Sequence, residues 1–95
     1  MRHKKFEEVL KEALKDPEFK KEWEATEVHY QVVSAIIGQR IKHKMSQAEL
    51  AKKAGLKQPS IARVESGSVM PSIVTLGKIA KAFGAKLEVR FQDSP

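Results

Sequence analysis

The sequence has 95 residues and no cysteine, so it is long enough for one compact domain and excludes disulfides, thiol nucleophiles and cysteine metal sites. Its 41% hydrophobic, 32% charged and 6% aromatic residues are typical of a soluble, helix-rich domain. No apolar run reaches the roughly 18 residues of a membrane span, and the charged N-terminus is unlike a signal peptide. We therefore expect a cytoplasmic protein with no membrane partner.

The net charge of +6 is unevenly distributed along the chain. Residues 1–27 contain seven Lys+Arg and eight Asp+Glu, which gives −1, whereas residues 28–95 contain eleven and four, which gives +7. A basic second part is suited to an anionic partner, and a charge-mixed first part to solvent or to a protein. The sequence therefore predicts an N-terminal helical extension over residues 1–27 and a separate basic domain over residues 28–95.

Two amphipathic helices are predicted at the start of the chain. In the first, apolar residues recur at helical spacing: Phe6, Val9, Leu10, Ala13 and Leu14. Asp16-Pro17-Glu18 then has the N-cap, the first-turn proline and the acidic residue that favour a helix start. The second helix runs to about Lys44, and its pattern allows a small break near Ala25.

Two short helices joined by a tight turn are predicted between Gln47 and Ser66. Ser46 and Glu49 have the spacing of a capping box, and Gly55 supplies a residue that tolerates positive φ at the end of the first helix. Small or apolar residues stand where the two helices must touch: Leu50, Ala51, Leu56, Ile61 and Val64. An ordinary helical hairpin needs the same contacts, but the short first helix, the glycine turn and the surrounding positive charge favour a DNA-binding helix-turn-helix.

The last two elements differ in period. A helix capped by Ser72 and closed by Gly84 carries apolar residues at helical spacing. After it, apolar residues alternate with polar ones, which predicts a β-strand containing Leu87, Val89 and Phe91.

The central segment resembles the Cro/C1-type (XRE) helix-turn-helix family over about residues 32–84, and this likeness is carried by SQAELAKKAGLKQPSIARVESGSVMPSIVTLGKIAKAFG. The flanking segments are similar to HigA-type antitoxins of type II toxin–antitoxin modules, through DPEFKKEWEATEVHYQVVSAIIGQRIKHKMSQ and AKLEVRF. Together with the predicted elements, the resemblance implies a mostly α fold: a five-helix Cro/C1-like domain, an N-terminal helical extension and one C-terminal β-strand. It also implies a protein that neutralises a RelE-like mRNA-cleaving toxin by direct binding and represses its own operon. A free-standing Cro/C1-type repressor without a toxin is the alternative.

The second helix of the motif is expected to enter the major groove of double-stranded DNA. Gln58 can pair with an adenine edge and Arg63 with a guanine edge, while Ser60 offers a hydroxyl and Pro59 only an apolar contact to a thymine methyl. Arg63 as a phosphate clamp is an equally open reading. Six further residues are candidates for phosphate contacts: Gln47, Lys42, His43, Lys44, Lys57 and Ser68.

Arg40 and Glu65 are expected to form a structural ion pair. Arg40 lies among the apolar residues of its helix, and Glu65 interrupts a basic surface. In the family that the sequence resembles, this Arg and Glu form a partly buried pair that locks the recognition helix to the preceding helix.

The ends of the chain are candidates for protein contacts. A lone strand leaves both of its edges unpaired, so we expect it to pair with the same strand of a second protomer, in a homodimer that fits a palindromic operator, or with a toxin's sheet edge. Five apolar residues near the N-terminus are candidates for toxin contact: Phe6, Leu10, Leu14, Phe19 and Trp23. Covering the domain's own core is an equally open role for them.

An enzyme is the least supported class. The three histidines are not spaced with carboxylates as metal ligands, and the five glycines do not form a phosphate-binding loop. We therefore expect no catalytic residue, no metal and no cofactor.

Overall fold

The computed structural model describes residues 4–93, apart from the side chains of residues 4–7 and 25. The described residues are mostly helical, as predicted, and form five helices: α1 (Lys4–Ala13), α2 (Pro17–Lys42), α3 (Gln47–Ala54), α4 (Gln58–Glu65) and α5 (Ile73–Ala82). None of these helices is both long and apolar enough to span a membrane.

The chain divides into two compact units within α2. The first extends to Gln31 and the second begins at Val32. The backbone of α2 continues through both units, without the break that the sequence pattern allowed near Ala25. The predicted boundary between residues 27 and 28 therefore falls inside one helix, and the C-terminal half of α2 is the first helix of the basic part.

The core of the second unit is built around α3, which packs against both α4 and α5. Leu50, Ile61 and Ile79 are fully buried, one from each of these helices. The remaining buried residues surround them: Ile36, Ala51, Ala54, Val64 and Phe83. Because Ala51 and Ala54 are small, they let the neighbouring helices approach α3 closely.

The helix-turn-helix has the start and the turn that its sequence predicts. The Ser46 hydroxyl accepts a hydrogen bond from the Glu49 backbone N–H at 3.0 Å, and the Glu49 carboxylate accepts one from the Ser46 N–H at 2.9 Å, which completes a capping box. Gly55 ends α3 with φ of 71°, a conformation that favours glycine. At α5 the Ser72 hydroxyl accepts from the Thr75 N–H at 3.1 Å. Local chemistry therefore fixes where these short helices begin and where α3 ends.

The predicted C-terminal strand is not present in the described part of the single chain. Residues 85–93 form neither helix nor strand, and Val89 and Phe91 are exposed. The alternating pattern of Leu87, Val89 and Phe91 suits a strand, but a strand also needs a partner for its hydrogen bonds, and none is present within residues 4–93. Pairing across a homodimer remains a prediction.

Candidate nucleic-acid interface

The helix α4 has one buried and one exposed face. Ile61 and Val64 point into the core, whereas Gln58, Pro59 and Arg63 are exposed and Ser60 is half-buried. Lys57 occupies the N-cap position without a side-chain cap, and Pro59 lies in the first turn, where its missing N–H costs nothing. The four residues predicted to read bases therefore all lie in α4, with the polar ones accessible to a ligand.

A chain of hydrogen bonds fixes the start of α4. The Gln58 side-chain amide donates to the Gln47 carbonyl oxygen Oε1 at 2.9 Å, and the Gln47 amide in turn donates to Glu65 Oε1 at 3.0 Å. Gln47 is the first residue of α3, so the first residues of the two helices are joined through their side chains. This arrangement holds the exposed Gln58 amide in one orientation, which a bidentate contact to a base requires.

This series of hydrogen bonds ends at an ion pair between Arg40 and Glu65. Arg40 Nε lies 2.7 Å from Glu65 Oε2, and Arg40 Nη2 lies 2.9 Å from Glu65 Oε1, so the contact is bidentate. Arg40 Nη1 donates a hydrogen bond to the Met45 backbone oxygen at 3.0 Å. The two side chains are only 20% and 6% exposed. The structure thus brings together the two residues predicted to pair, and it links the end of α2 to the last residue of α4.

Opposing effects set the protonation of this pair. Burial raises the pKa of the Glu65 carboxyl, but hydrogen bonds from Arg40 and Gln47 and the Arg40 charge outweigh it, so the pKa lies below its ordinary value. The hydrogen bond to Glu65 raises the pKa of Arg40, against burial, and the charge of Glu65 adds to the rise. Both groups are therefore charged at neutral pH.

The segment that contains the helix-turn-helix is rich in positively charged residues. Residues 32–84 contain nine Lys+Arg and two Asp+Glu, and both acidic residues are engaged by the protein itself. Glu65 is paired with Arg40, and Glu49 caps α3. Hydrogen bonds from the backbone and the hydroxyl of Ser46 lower the pKa of Glu49, against a small effect of burial, and nearby Lys53 lowers it further. An anionic ligand is therefore favoured here.

The residues predicted to contact phosphate differ in whether their side chains contact other parts of the protein. Lys42, Lys44 and Lys57 are exposed. The ring of His43 stacks on Phe83 with a centroid distance of 5.6 Å, and the Ser68 hydroxyl lies 2.8 Å from that of Ser66. Gln47 has a positioning role that its predicted contact with phosphate did not include. The sequence carries no signal for this role, because the hydrogen bond between Gln47 and Gln58 depends on how α3 and α4 are placed relative to each other.

The first unit carries the residues predicted to contact a toxin. Phe19 and Trp23 stack with centroids 6.5 Å apart, and Phe19 is 36% exposed. Leu10 and Leu14 are half-buried. Val9, which the sequence places on the same apolar face as Leu10, is 59% exposed and adds to the apolar surface of α1. The side chain of Phe6 lies outside the described residues.

Among the side chains that the structure describes, no group of three or more His, Asp or Glu is placed to hold a metal ion. The exposed polar face of α4, the hydrogen bond between the first residues of α3 and α4, and the excess of positive charge are features of a DNA-binding helix-turn-helix. A family model described as helix-turn-helix matches residues 38–89, and the chain belongs to this family of Cro/C1-type DNA-binding regulators, which are not enzymes.

Two kinds of relative are similar to the chain. Antitoxin HigA1 of Mycobacterium tuberculosis (strain ATCC 25618 / H37Rv) is 35% identical over 74 residues, which are 78% of this chain and 50% of the relative. An uncharacterized HTH-type transcriptional regulator of Methanocaldococcus jannaschii is 43% identical over 49 residues, or 52% of this chain and 74% of the relative. The chain thus spans about half the length of the HigA1 relative. No solved structure matches it significantly.

Proposed function

We propose that this regulator is the antitoxin of a type II toxin–antitoxin module, which represses its own operon by reading DNA with α4 and neutralises a RelE-like mRNA-cleaving toxin by direct binding. The observation that carries the DNA-binding part is the hydrogen-bonded chain from Gln58 through Gln47 to the Arg40–Glu65 pair. It orients a base-reading amide at the start of an exposed helix before any ligand arrives.

Base reading is assigned to the exposed face of α4. Gln58 is suited to the N6 and N7 atoms of adenine, and Arg63 to the O6 and N7 atoms of guanine. Ser60 and Pro59 complete the face, with a hydroxyl and an apolar surface for a thymine methyl. Lys42, Lys44 and Lys57 supply charge to the DNA backbone on either side.

The operator is proposed to be palindromic and bound by a homodimer. Two copies of α4 then enter successive major grooves about 34 Å apart. A truncation after Phe83 removes the segment that contains Leu87, Val89 and Phe91, and we expect it to sediment as a monomer. A truncated chain that remains dimeric would show that this segment is not the dimer contact.

Toxin neutralisation is assigned to the first unit. The similarity to a relative named Antitoxin HigA1 extends over 78% of the chain and therefore beyond the helix-turn-helix itself. The exposed apolar surface of α1 and of the Phe19–Trp23 stack supports a helical contact with a protein groove. The residues proposed for this contact are Phe6, Leu10, Leu14, Phe19 and Trp23.

A free-standing repressor is the second candidate, supported by the similarity of the helix-turn-helix to an archaeal transcriptional regulator. The neighbouring reading frame separates the two. A small, basic, RelE-like frame that adjoins this gene and is transcribed with it favours the antitoxin.

Co-expression tests the antitoxin proposal. Expression of the adjacent frame alone should arrest growth, and co-expression with this chain should restore it. The double variant Phe19→Ala, Trp23→Ala should lose the rescue while retaining DNA binding, and Arg63→Ala, which changes only the reading face, is the matched control that should retain the rescue. Rescue that is unaffected by the double variant would contradict the assignment to the first unit.

A further inference from the structure

Four helices of this protein end in the same backbone motif. After α2, α3, α4 and α5, one backbone N–H donates to the carbonyl oxygen three residues earlier, and the next N–H donates to the carbonyl oxygen five residues earlier. This is the hydrogen-bond pair of a Schellman motif. The residue that donates the first of these bonds must adopt a left-handed conformation. At three of the four ends this residue is glycine: Gly55 with φ of 71°, Gly67 with 80° and Gly84 with 69°.

At the end of α2 the same position is occupied by Lys44, with φ of 55°. Its N–H donates to the Ile41 carbonyl oxygen at 3.0 Å, and the N–H of Met45 donates to the Arg40 carbonyl oxygen at 3.0 Å, so the motif is complete. Lys44 is the one non-glycine residue with positive φ within residues 4–93. A side chain with a Cβ is strained in this conformation, whereas glycine is not. The chain therefore carries a local cost here that it avoids at its other helix ends.

The turn that carries Lys44 is attached to the reading face. The Arg40 guanidinium that binds Glu65 also holds the Met45 carbonyl, one residue after Lys44. Ser46 and Gln47 follow directly and begin α3. Lys44 is exposed, next to this positive helix start and to the network that orients Gln58.

We propose that a lysine occupies this glycine position because the ammonium group of Lys44 binds a DNA phosphate. Lys44 thus lowers the stability of the free protein and raises its affinity for DNA. Strained backbone conformations persist where function requires them. The inference rests on the proposed DNA-binding function. Lys44 differs from the other proposed phosphate ligand Lys57 in its backbone conformation. Lys57, at the N-cap of α4, has an extended backbone, whereas Lys44 has a positive φ.

Opposite effects on stability and on binding test this inference. Lys44→Gly should raise the melting temperature by about 4 °C, because it removes the strain. Lys44→Gln, which removes the charge but retains a Cβ, should leave the melting temperature unchanged. Both variants should weaken binding to DNA. Lys81→Gln, in the cleft that Lys53, Lys78 and Lys81 line without any residue of α4, is the matched control for loss of one charge and should leave both quantities unchanged.

A 30-base-pair duplex of random sequence is a sufficient probe, because phosphate contacts do not depend on sequence. Loss of one contact reduces the slope of log K against log salt by about 0.9 per chain. Between 50 and 200 mM salt, wild type should therefore lose about threefold more affinity per bound chain than either Lys44 variant. Fluorescence anisotropy in a salt series measures this difference.

Each outcome decides the matter. Unchanged affinity and salt slope in both Lys44 variants, with binding by wild type intact, overturns the inference and leaves the proposed function standing. A melting temperature that falls in Lys44→Gln with no effect on DNA shows that Lys44 serves the end of α2 alone. Absence of salt-dependent binding by wild type contradicts the DNA-binding function and, with it, this inference.

Discussion

Glu65 is the residue on which the geometry of the reading face depends most. It accepts hydrogen bonds from both Arg40 and Gln47, and Gln47 in turn accepts from Gln58. Loss of its charge leaves the Arg40 guanidinium, itself 20% exposed, without a counter-ion. Because these hydrogen bonds connect Glu65 to the Gln58 side chain, we expect a change at Glu65 to affect both folding and base reading.

We expect Glu65→Gln to destabilise the protein by about 2 kcal/mol, less than the 3–5 kcal/mol typical of fully buried pairs because this pair is partly exposed. Chemical denaturation with linear extrapolation measures the change. Glu88→Gln, at an exposed carboxylate outside the network, is the control and should have no effect. Equal stability of Glu65→Gln and wild type would mean that the pair contributes nothing.

The same pair predicts a pH dependence. The pKa of Glu65 is lowered in the folded protein, so its stabilising contribution is complete above the ordinary value of 4.5 and is lost as the pH falls through the folded pKa. Glu49, whose pKa is also lowered, acts in the same direction. Melting temperatures of wild type and Glu65→Gln measured from pH 7 to pH 3 should therefore converge below about pH 4.5. A constant difference across this range would contradict the assignment.

At the scale of helices and turns, most of the helix-turn-helix could be predicted from the sequence because its boundaries are set by local chemistry. Ser46, Gly55 and Ser72 have the conformations that their residue types favour at helix ends. The bond between Gln47 and Gln58 was not predicted, because it depends on how α3 and α4 are placed relative to each other. The C-terminal strand was predicted from alternation alone, and no partner strand exists within the described residues.

Two glycines give opposite predictions at this scale. Gly38 lies inside α2 with nothing within 4 Å of an added Cβ, so Gly38→Ala should stabilise the protein by about 0.5–1 kcal/mol. Gly55 also has open space but has φ of 71°, so Gly55→Ala should destabilise it by about 1 kcal/mol. The two thermal unfolding curves, compared with wild type, check this directly. A loss of stability in Gly38→Ala would indicate that the surface of α2 at this position must stay free of a side chain.

At the scale of the whole molecule, two compact units carry different chemistry. The second unit contains the positive helix-turn-helix, and the first contains exposed apolar residues among balanced charges. Charge balance predicts an extension over residues 1–27 and a basic domain over residues 28–95, and this assignment stays a prediction. The first compact unit ends at Gln31, within the continuous helix α2. The role of the first unit could not be derived from the chain alone, because an apolar helix face serves equally as a cover for its own domain or as a contact for a partner.

Removal of the first unit tests this division of roles. A chain that lacks residues 1–24 should lose binding to the cognate toxin while it retains salt-dependent binding to DNA. Calorimetry with the purified toxin and anisotropy with duplex DNA measure the two activities separately. Toxin binding that survives the deletion would place the contact in the second unit.

Sequence-specific reading by α4 is tested most directly by selection from a library of random duplexes, followed by sequencing of the bound fraction. Wild type should enrich a palindromic motif, with half-sites about 34 Å apart. Arg63→Ala should lose the preference at one base pair of each half-site, whereas Lys57→Ala should weaken binding and retain the motif. Enrichment of the same motif by Arg63→Ala would show that Arg63 does not read a base, and enrichment of no motif by wild type would contradict the assignment of α4 as the reading helix.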